Sequence, residues 1–172
     1  MHWYMLTLVG KDQPGIVAQV SRALYEGGSN LGETSMVRLG DSFTIMMMVH
    51  YGQSGADLAA LLRPVTDNLG LAVHLDPIPG VLHSGVPPEV CITVYGADRA
   101  GIVAQVTGAL AQAGLNITDL SSTVAGSAAQ PLYVMQIEGQ ASQGLAALEQ
   151  AIAQATRDGI EVHLQSLDTL IG

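Results

Sequence analysis

The residues best suited to chemistry lie in Gly10-Lys11-Asp12-Gln13-Pro14-Gly15-Ile16-Val17-Ala18-Gln19-Val20 and, 86 positions later, in Gly96-Ala97-Asp98-Arg99-Ala100-Gly101-Ile102-Val103-Ala104-Gln105-Val106. In each, a Gly-x-Asp-x-x-Gly bend opens an apolar helical pattern. Such a bend leaves backbone N–H groups unpaired at the mouth of a helix, where the dipole is positive. A small carboxylate is a natural ligand there. Asp12, Asp98, Asn30 and Asn116 carry oxygens suited to an ammonium group, so the set matches a zwitterion. A blander reading stays open at this point: the aspartates cap helices, the glycines only make the bend, and the asparagines begin strands.

Catalysis finds no comparable constellation. The serines lack a nucleophile elbow, and no Cys with His or pair of acids falls in one loop. His2, His50, His74, His83 and His163 are scattered without metal-ligand spacing. The loop from Gly10 to Gly15 has neither the spacing nor the lysine of a nucleotide-binding loop. The single cysteine, Cys91, excludes an intramolecular disulfide, and its setting in Val90-Cys91-Ile92-Thr93-Val94 predicts a buried strand thiol.

Lys and Arg number 6 against 15 Asp and Glu, a net charge of −9 with no basic run, which argues against direct nucleic-acid binding. At 48% hydrophobic residues the chain can build cores. No apolar run approaches the ~20 residues of a membrane span, and Met1 to Leu6 reads as a strand without a positive segment or cleavage site. The expectation is a soluble cytoplasmic protein.

The two bends need elements to hold them. Trp3 to Val9 reads as a buried strand. Pro14 has the fixed φ that suits the first turn of a helix, whose apolar stripe is Ile16, Val17, Val20, Ala23 and Leu24. Gly27-Gly28 ends it. Asn30 to Leu39 and Ser42 to Tyr51 flank Gly40-Asp41, a hairpin with a two-residue turn, and Phe43, Ile45, Met47, Val49 and Tyr51 share one face. Met46-Met47-Met48 reads as core on one face and interface or helix-covered on the other. Ser54 and Asp57 form a capping box for a helix built on Leu58, Leu61, Leu62, Val65 and Leu69. Pro64 is expected to kink or shorten that helix near Ala60. Leu71 to Asp76 supplies a fourth strand.

The order repeats with Glu89 to Tyr95, a helix from about Ala100 to Ala113, and strands Leu115 to Val124 and Leu132 to Glu138. The turn Ala125 to Pro131 is longer than its counterpart and moves the offset to about 89. A helix from Gln143 to Asp158 and a strand from Ile160 to Leu167 close the second copy. Residues 1–76 and 89–172 are thus two domains, joined by a Pro/Gly-rich linker over 77–88. The fold class is α+β: two ferredoxin-like βαββαβ units with antiparallel sheets and helices on one face.

A strand ending in Gly-x-Asp-x-Pro-Gly-Ile-Val, an amphipathic helix, then Gly-x-Asn-Leu or Gly-x-Asn-Ile opening the second strand resembles the ACT domain, a regulatory module that binds amino acids. Both copies fit. Two tandem domains with nothing attached, together with Leu39-Gly40-Asp41-Ser42-Phe43-Thr44-Ile45-Met46, look most like the glycine cleavage system transcriptional repressor family. The resemblance implies a pseudo-dimer of domains whose sheets join side by side, with effector pockets between domains. It carries ligand contacts onto Asp12, Gln13, Pro14, Gly15, Ile16 and Asn30 in copy one, and onto Asp98, Arg99, Ala100, Gly101, Ile102 and Asn116 in copy two. Copy two departs from the pattern at Ala100, where proline is usual, while Arg99 adds a cation able to grip a carboxylate.

The implied protein is not an enzyme and needs no cofactor. It is an amino-acid-responsive repressor with a small amino acid, glycine first, as effector. It acts on glycine cleavage genes through a partner, a DNA-binding transcription regulator, without touching nucleic acid or membrane itself. A homodimer is left open. Two alternatives stand beside it: an ACT regulatory subunit acting in trans on an amino-acid or one-carbon metabolic enzyme, and a ligand-free structural dimerisation module.

Overall fold

The computed structural model describes residues 2–79, 85–97, 101–127, 130–155 and 160–167. It divides into two compact units, Met1–Ser84 and Gly85–Gly172. The first holds β1 (His2–Lys11), α1 (Ile16–Glu26), β2 (Asn30–Leu39), β3 (Ser42–Tyr51), α2 (Gly55–Leu69) and β4 (Ala72–Ile78). The second holds β5 (Val90–Ala97), α3 (Ile102–Gln112), β6 (Leu115–Ser127), β7 (Gln130–Ala141), α4 (Leu145–Ala155) and β8 (Glu161–Ser166). Each sheet is four-stranded and antiparallel, in the orders β2-β3-β1-β4 and β6-β7-β5-β8. These are two ferredoxin-like βαββαβ units.

In the first unit, period-two alternation sends Leu6, Leu8, Ile45, Met47 and Val49 to one sheet face, where Ile16, Val20 and Leu24 of α1 and Leu58, Leu62 and Leu69 of α2 close over them. The hairpin over Gly40-Asp41 stands as expected, with Gly40 at φ 57°. The capping box at the head of α2 is complete: Asp57 N–H donates to Ser54 Oγ at 3.3 Å, and Ser54 N–H returns a bond to Asp57 Oδ2 at 3.2 Å.

Three expectations for this unit change. Pro14 lies just before α1, which begins at Ile16 behind Gly15. Pro64 does not shorten α2, which runs through it to Leu69; the buried stripe Leu58, Leu62, Thr66 and Leu69 is continuous across the proline and holds the helix together. The last strand runs beyond Asp76 to pair Pro77 with Tyr4 and Ile78 with Trp3. β4 is an edge strand, the place in a sheet where proline is tolerated.

The second unit builds its own core from Val90, Ile92 and Val94, with Ile102, Val106 and Leu110 of α3 and Leu148 of α4. Its hairpin differs from the reading in sequence: Ala125 to Ser127 and Gln130 to Pro131 belong to the ladder, so the extra residues lengthen the arms rather than the turn. Pro131 sits beyond the last β5 partner of β7, which is Leu132, and so interrupts no bond on that side. Met47 faces Leu6 and Ile137 faces Ile92, so the offset past the hairpin is 90. Strand β5 continues two residues past Tyr95, and α3 begins at Ile102 rather than Ala100. Helix α4 begins at Leu145, after Gly144 at φ 82°, and the residues expected to end it at Asp158 lie outside those described. The linker residue Val86 accepts a 2.8 Å hydrogen bond from Gln140 Nε2, which ties residues 85–88 to this unit.

The sheet faces turned away from the helices differ in chemistry. In the first unit that face carries Met5, Met46 and Met48, with Trp3 stacked on His50 at 4.7 Å between ring centroids. Met47 alone of the three consecutive methionines is core; Met48 is 8% and Met46 45% exposed on the other face. In the second unit the equivalent positions are Cys91, Thr93, Gln136 and Glu138. Cys91 is therefore half-buried rather than buried, with Gln136 Nε2 at 3.4 Å from its Sγ, because the alternation gives the core to Val90 and Ile92.

Candidate functional site

Both helices that follow a bend are opened by a glycine in the left-handed region: Gly15 at φ 90°, ψ 1° before α1, and Gly101 at φ 90°, ψ −7° before α3. Only glycine adopts this backbone without strain. The first ladder bonds run from Gln19 N–H to Gly15 C=O at 3.0 Å and from Gln105 N–H to Gly101 C=O at 2.9 Å. The N–H groups of Ile16, Val17 and Ala18, and of Ile102, Val103 and Ala104, thus precede the ladder. Neither helix has a side-chain cap. Asp12 therefore does not cap α1, whereas the rest of the blander reading, glycines that make the bend and asparagines that begin strands, agrees with the structure.

The Asp12 carboxylate turns to the hairpin instead. Arg38 Nη1 donates to Asp12 Oδ2 at 3.2 Å, and Asp12 N–H donates to Asp41 C=O at 2.8 Å. Gln13 Nε2 donates to Leu69 C=O at 2.8 Å, which anchors the bend on the end of α2. Pro14 and Gly15 are exposed, while Ile16 sends its side chain into the core and leaves only its backbone at the bend. Gly10 allows this close approach: a Cβ there would stand 2.6 Å from Leu71 Cδ2 and 3.1 Å from Gly70 O.

Asn30 is not part of this cluster within the unit. It opens β2 at the far end of α1, exposed and opposite His50. An 11-residue helix separates the two places by about 16 Å. Asn116 stands likewise at the start of β6, opposite Gln140. In copy two, Gly101 is exposed and Ile102 buried, as in copy one, and Asp98, Arg99 and Ala100 lie outside the described residues. Arg38 was not among the expected residues. Its partner is 26 positions away and only the hairpin brings them together, whereas Val124 holds the equivalent place in copy two.

The bend of the first unit thus offers three N–H groups ahead of the helical ladder, and the Asp12 carboxylate of the same loop is paired with Arg38 of the hairpin. Among the described residues no group of three or more His, Cys, Asp and Glu is arranged to hold a metal. No helix is long and apolar enough to cross a membrane.

Comparison with known proteins places these features in company. The model of the ACT domain matches residues 2–76 and 89–165. The glycine cleavage system transcriptional repressor of Escherichia coli K12 is 25% identical over 122 residues, which is 70% of this chain and 64% of the repressor, so the chain spans less than two thirds of that relative. A UPF0237 protein of Methanosarcina mazei is 38% identical over 81 residues, 45% of this chain and 84% of its own. The crystal structure of an unknown protein from Galdieria sulphuraria superposes with a TM-score of 0.80 at 24% identity, over 96% of this chain and 98% of that one, a likeness of fold.

Proposed function

The chain belongs to the ACT-domain family in both of its units, and from that premise we propose that it is an amino-acid-responsive repressor working through a partner protein. Its effector is a small amino acid, with glycine the first to test, since the glycine cleavage repressor of E. coli is a relative over 70% of this chain. The observation that carries the reading is the pair of left-handed glycines, Gly15 and Gly101, each opening a helix without a side-chain cap. The amino acid's carboxylate takes the N–H groups of Ile16 to Ala18, where the dipole favours it. Its ammonium takes Asp12, whose carboxylate Arg38 holds from the other side.

A bound effector shifts the partner equilibrium only by its different affinity for the free and partner-bound protein. The net charge of −9 supports a partner protein, rather than this chain, as the element that touches DNA in the cell's cytoplasm. Thermal-shift and calorimetric titration of the full chain against the common amino acids tests the proposal. A ligand at a hundred times its Kd adds about 2.7 kcal/mol to stability. Glycine or a close relative is expected to stabilise the chain, and Gly15→Val is expected to abolish the effect. No stabilisation by any amino acid would remove the effector from the account. Recovery of a metabolic enzyme instead of a transcription regulator in a pull-down would replace the repressor reading by an enzyme-regulating one.

A further inference from the structure

The sheet face that the helices of the first unit leave open gathers sulfur. Met5 and Met48 are direct cross-strand partners on β1 and β3, and Met46 stands two residues from Met48 on the same face. All three side chains line one groove of about 410 Å³, beside the register shift of β2 between Leu31 and Thr34. Direct partners hold their Cβ atoms about 5 Å apart, and diagonal neighbours stand about 7–8 Å apart. A thioether lies two bonds beyond its Cβ on a flexible stem, so the three sulfurs can meet around one small atom. In the adjoining row Trp3 pairs with His50 and stacks on its ring at 4.7 Å.

The duplication supplies an internal control. The second unit pairs Cys91 with Glu138 where the first pairs Met5 with Met48, and Gln136 stands at the place of Met46. Trp3 and His50 correspond to Glu89 and Gln140. The same sheet is thus built with no thioether and no ring at any of these five places. Core packing does not ask for the open-face methionines either, since Met47, between Met46 and Met48, is the one that enters the core.

We propose that this groove binds a soft monovalent cation of the Cu(I) type through the thioethers of Met5, Met46 and Met48. Thioether sulfur is a weak hydrogen-bond acceptor and a poor ligand for hard ions, and among metals it selects Cu(I). The indole of Trp3, two residues from Met5 on the same face, adds a ring whose π-system attracts cations. Glu33 on the rim of the groove and the net charge of −9 favour a cation over an anion there. Met48 is 8% and Met46 45% exposed, so the groove has a covered floor and an open mouth. No residue of the bend takes part, and the site stands or falls apart from the effector reading.

Trp3 is the only tryptophan of the chain, so its emission reports on this face. Anaerobic titration of the full chain with Cu(I), kept reduced by ascorbate, tests the assignment in a Cys91→Ser background that removes the lone thiol. Saturable quenching at one equivalent is expected, while Zn(II) leaves the emission unchanged. Met5→Leu and Met48→Leu keep the face apolar at nearly the same volume, with the fold checked by circular dichroism. Each is expected to raise the Kd for Cu(I) at least tenfold, and Met46→Leu at least threefold. Met47→Leu, on the core side, is expected to leave the Kd within twofold. No saturable quenching, quenching by Zn(II) as strong as by Cu(I), or equal affinity in the three open-face Met→Leu variants would each overturn the proposal, the last by reducing the methionines to apolar cover.

Discussion

At the scale of single residues, Gly15 and Gly101 impose the firmest demand. Neither meets a crowded neighbourhood: an added Cβ at Gly15 finds only the Gln19 side chain at 3.4 Å, and at Gly101 it finds nothing within 4 Å. The penalty of Gly15→Ala or Gly101→Ala is therefore the left-handed backbone alone, about 1–2 kcal/mol each by urea denaturation. Gly10→Ala is expected to cost more, since its Cβ would press on Leu71 and on the Gly70 carbonyl. Asp12→Ala is expected to cost under about 1 kcal/mol, because its bond to Arg38 is exposed, and a larger loss would show the ion pair to be structural. Much of the bend was legible, because Gly-x-Asp-x-x-Gly names its own backbone. The Arg38 contact was not, since it depends on a hairpin folding back across 26 positions.

At the scale of elements, local chemistry decided what the sequence disclosed. Gly40-Asp41 marks a tight turn, and the two strands around it begin and end where expected. The second hairpin carries Gly126, Ser127 and Pro131, all residues that suggest a loop, yet the ladder continues through them because the strand partners are present. Helix α2 shows the reverse case, in which tertiary burial overrides a proline. Pro64→Ala restores the donor to Ala60 and is expected to stabilise the chain by about 1–3 kcal/mol, measured as a rise in urea midpoint at unchanged m-value. Ser54→Ala removes one half of the capping box and is expected to cost about 1 kcal/mol in the same assay. Element geometry also separates Asn30 from the bend within the unit: β2 follows α1 and so begins at the end of the helix away from Gly15.

At the scale of the whole molecule, an excess of nine negative charges repels itself. Raising NaCl from about 10 mM to 150 mM shortens the Debye length from about 30 Å to about 8 Å and is expected to raise Tm. A Tm that falls with salt would show that attractive pairs, not repulsion, dominate the surface. The cores are legible from apolar periodicity in both copies, whereas the contrast between their open sheet faces is legible only after the register is known. That contrast has a chemical consequence for handling and for life under oxidants. Peroxide meets the thioether of Met46 before those of Met47 and Met48, and a sulfoxide there would turn the greasy centre of one face into a wet one while its twin, with no methionine at the matching place, would go unmarked.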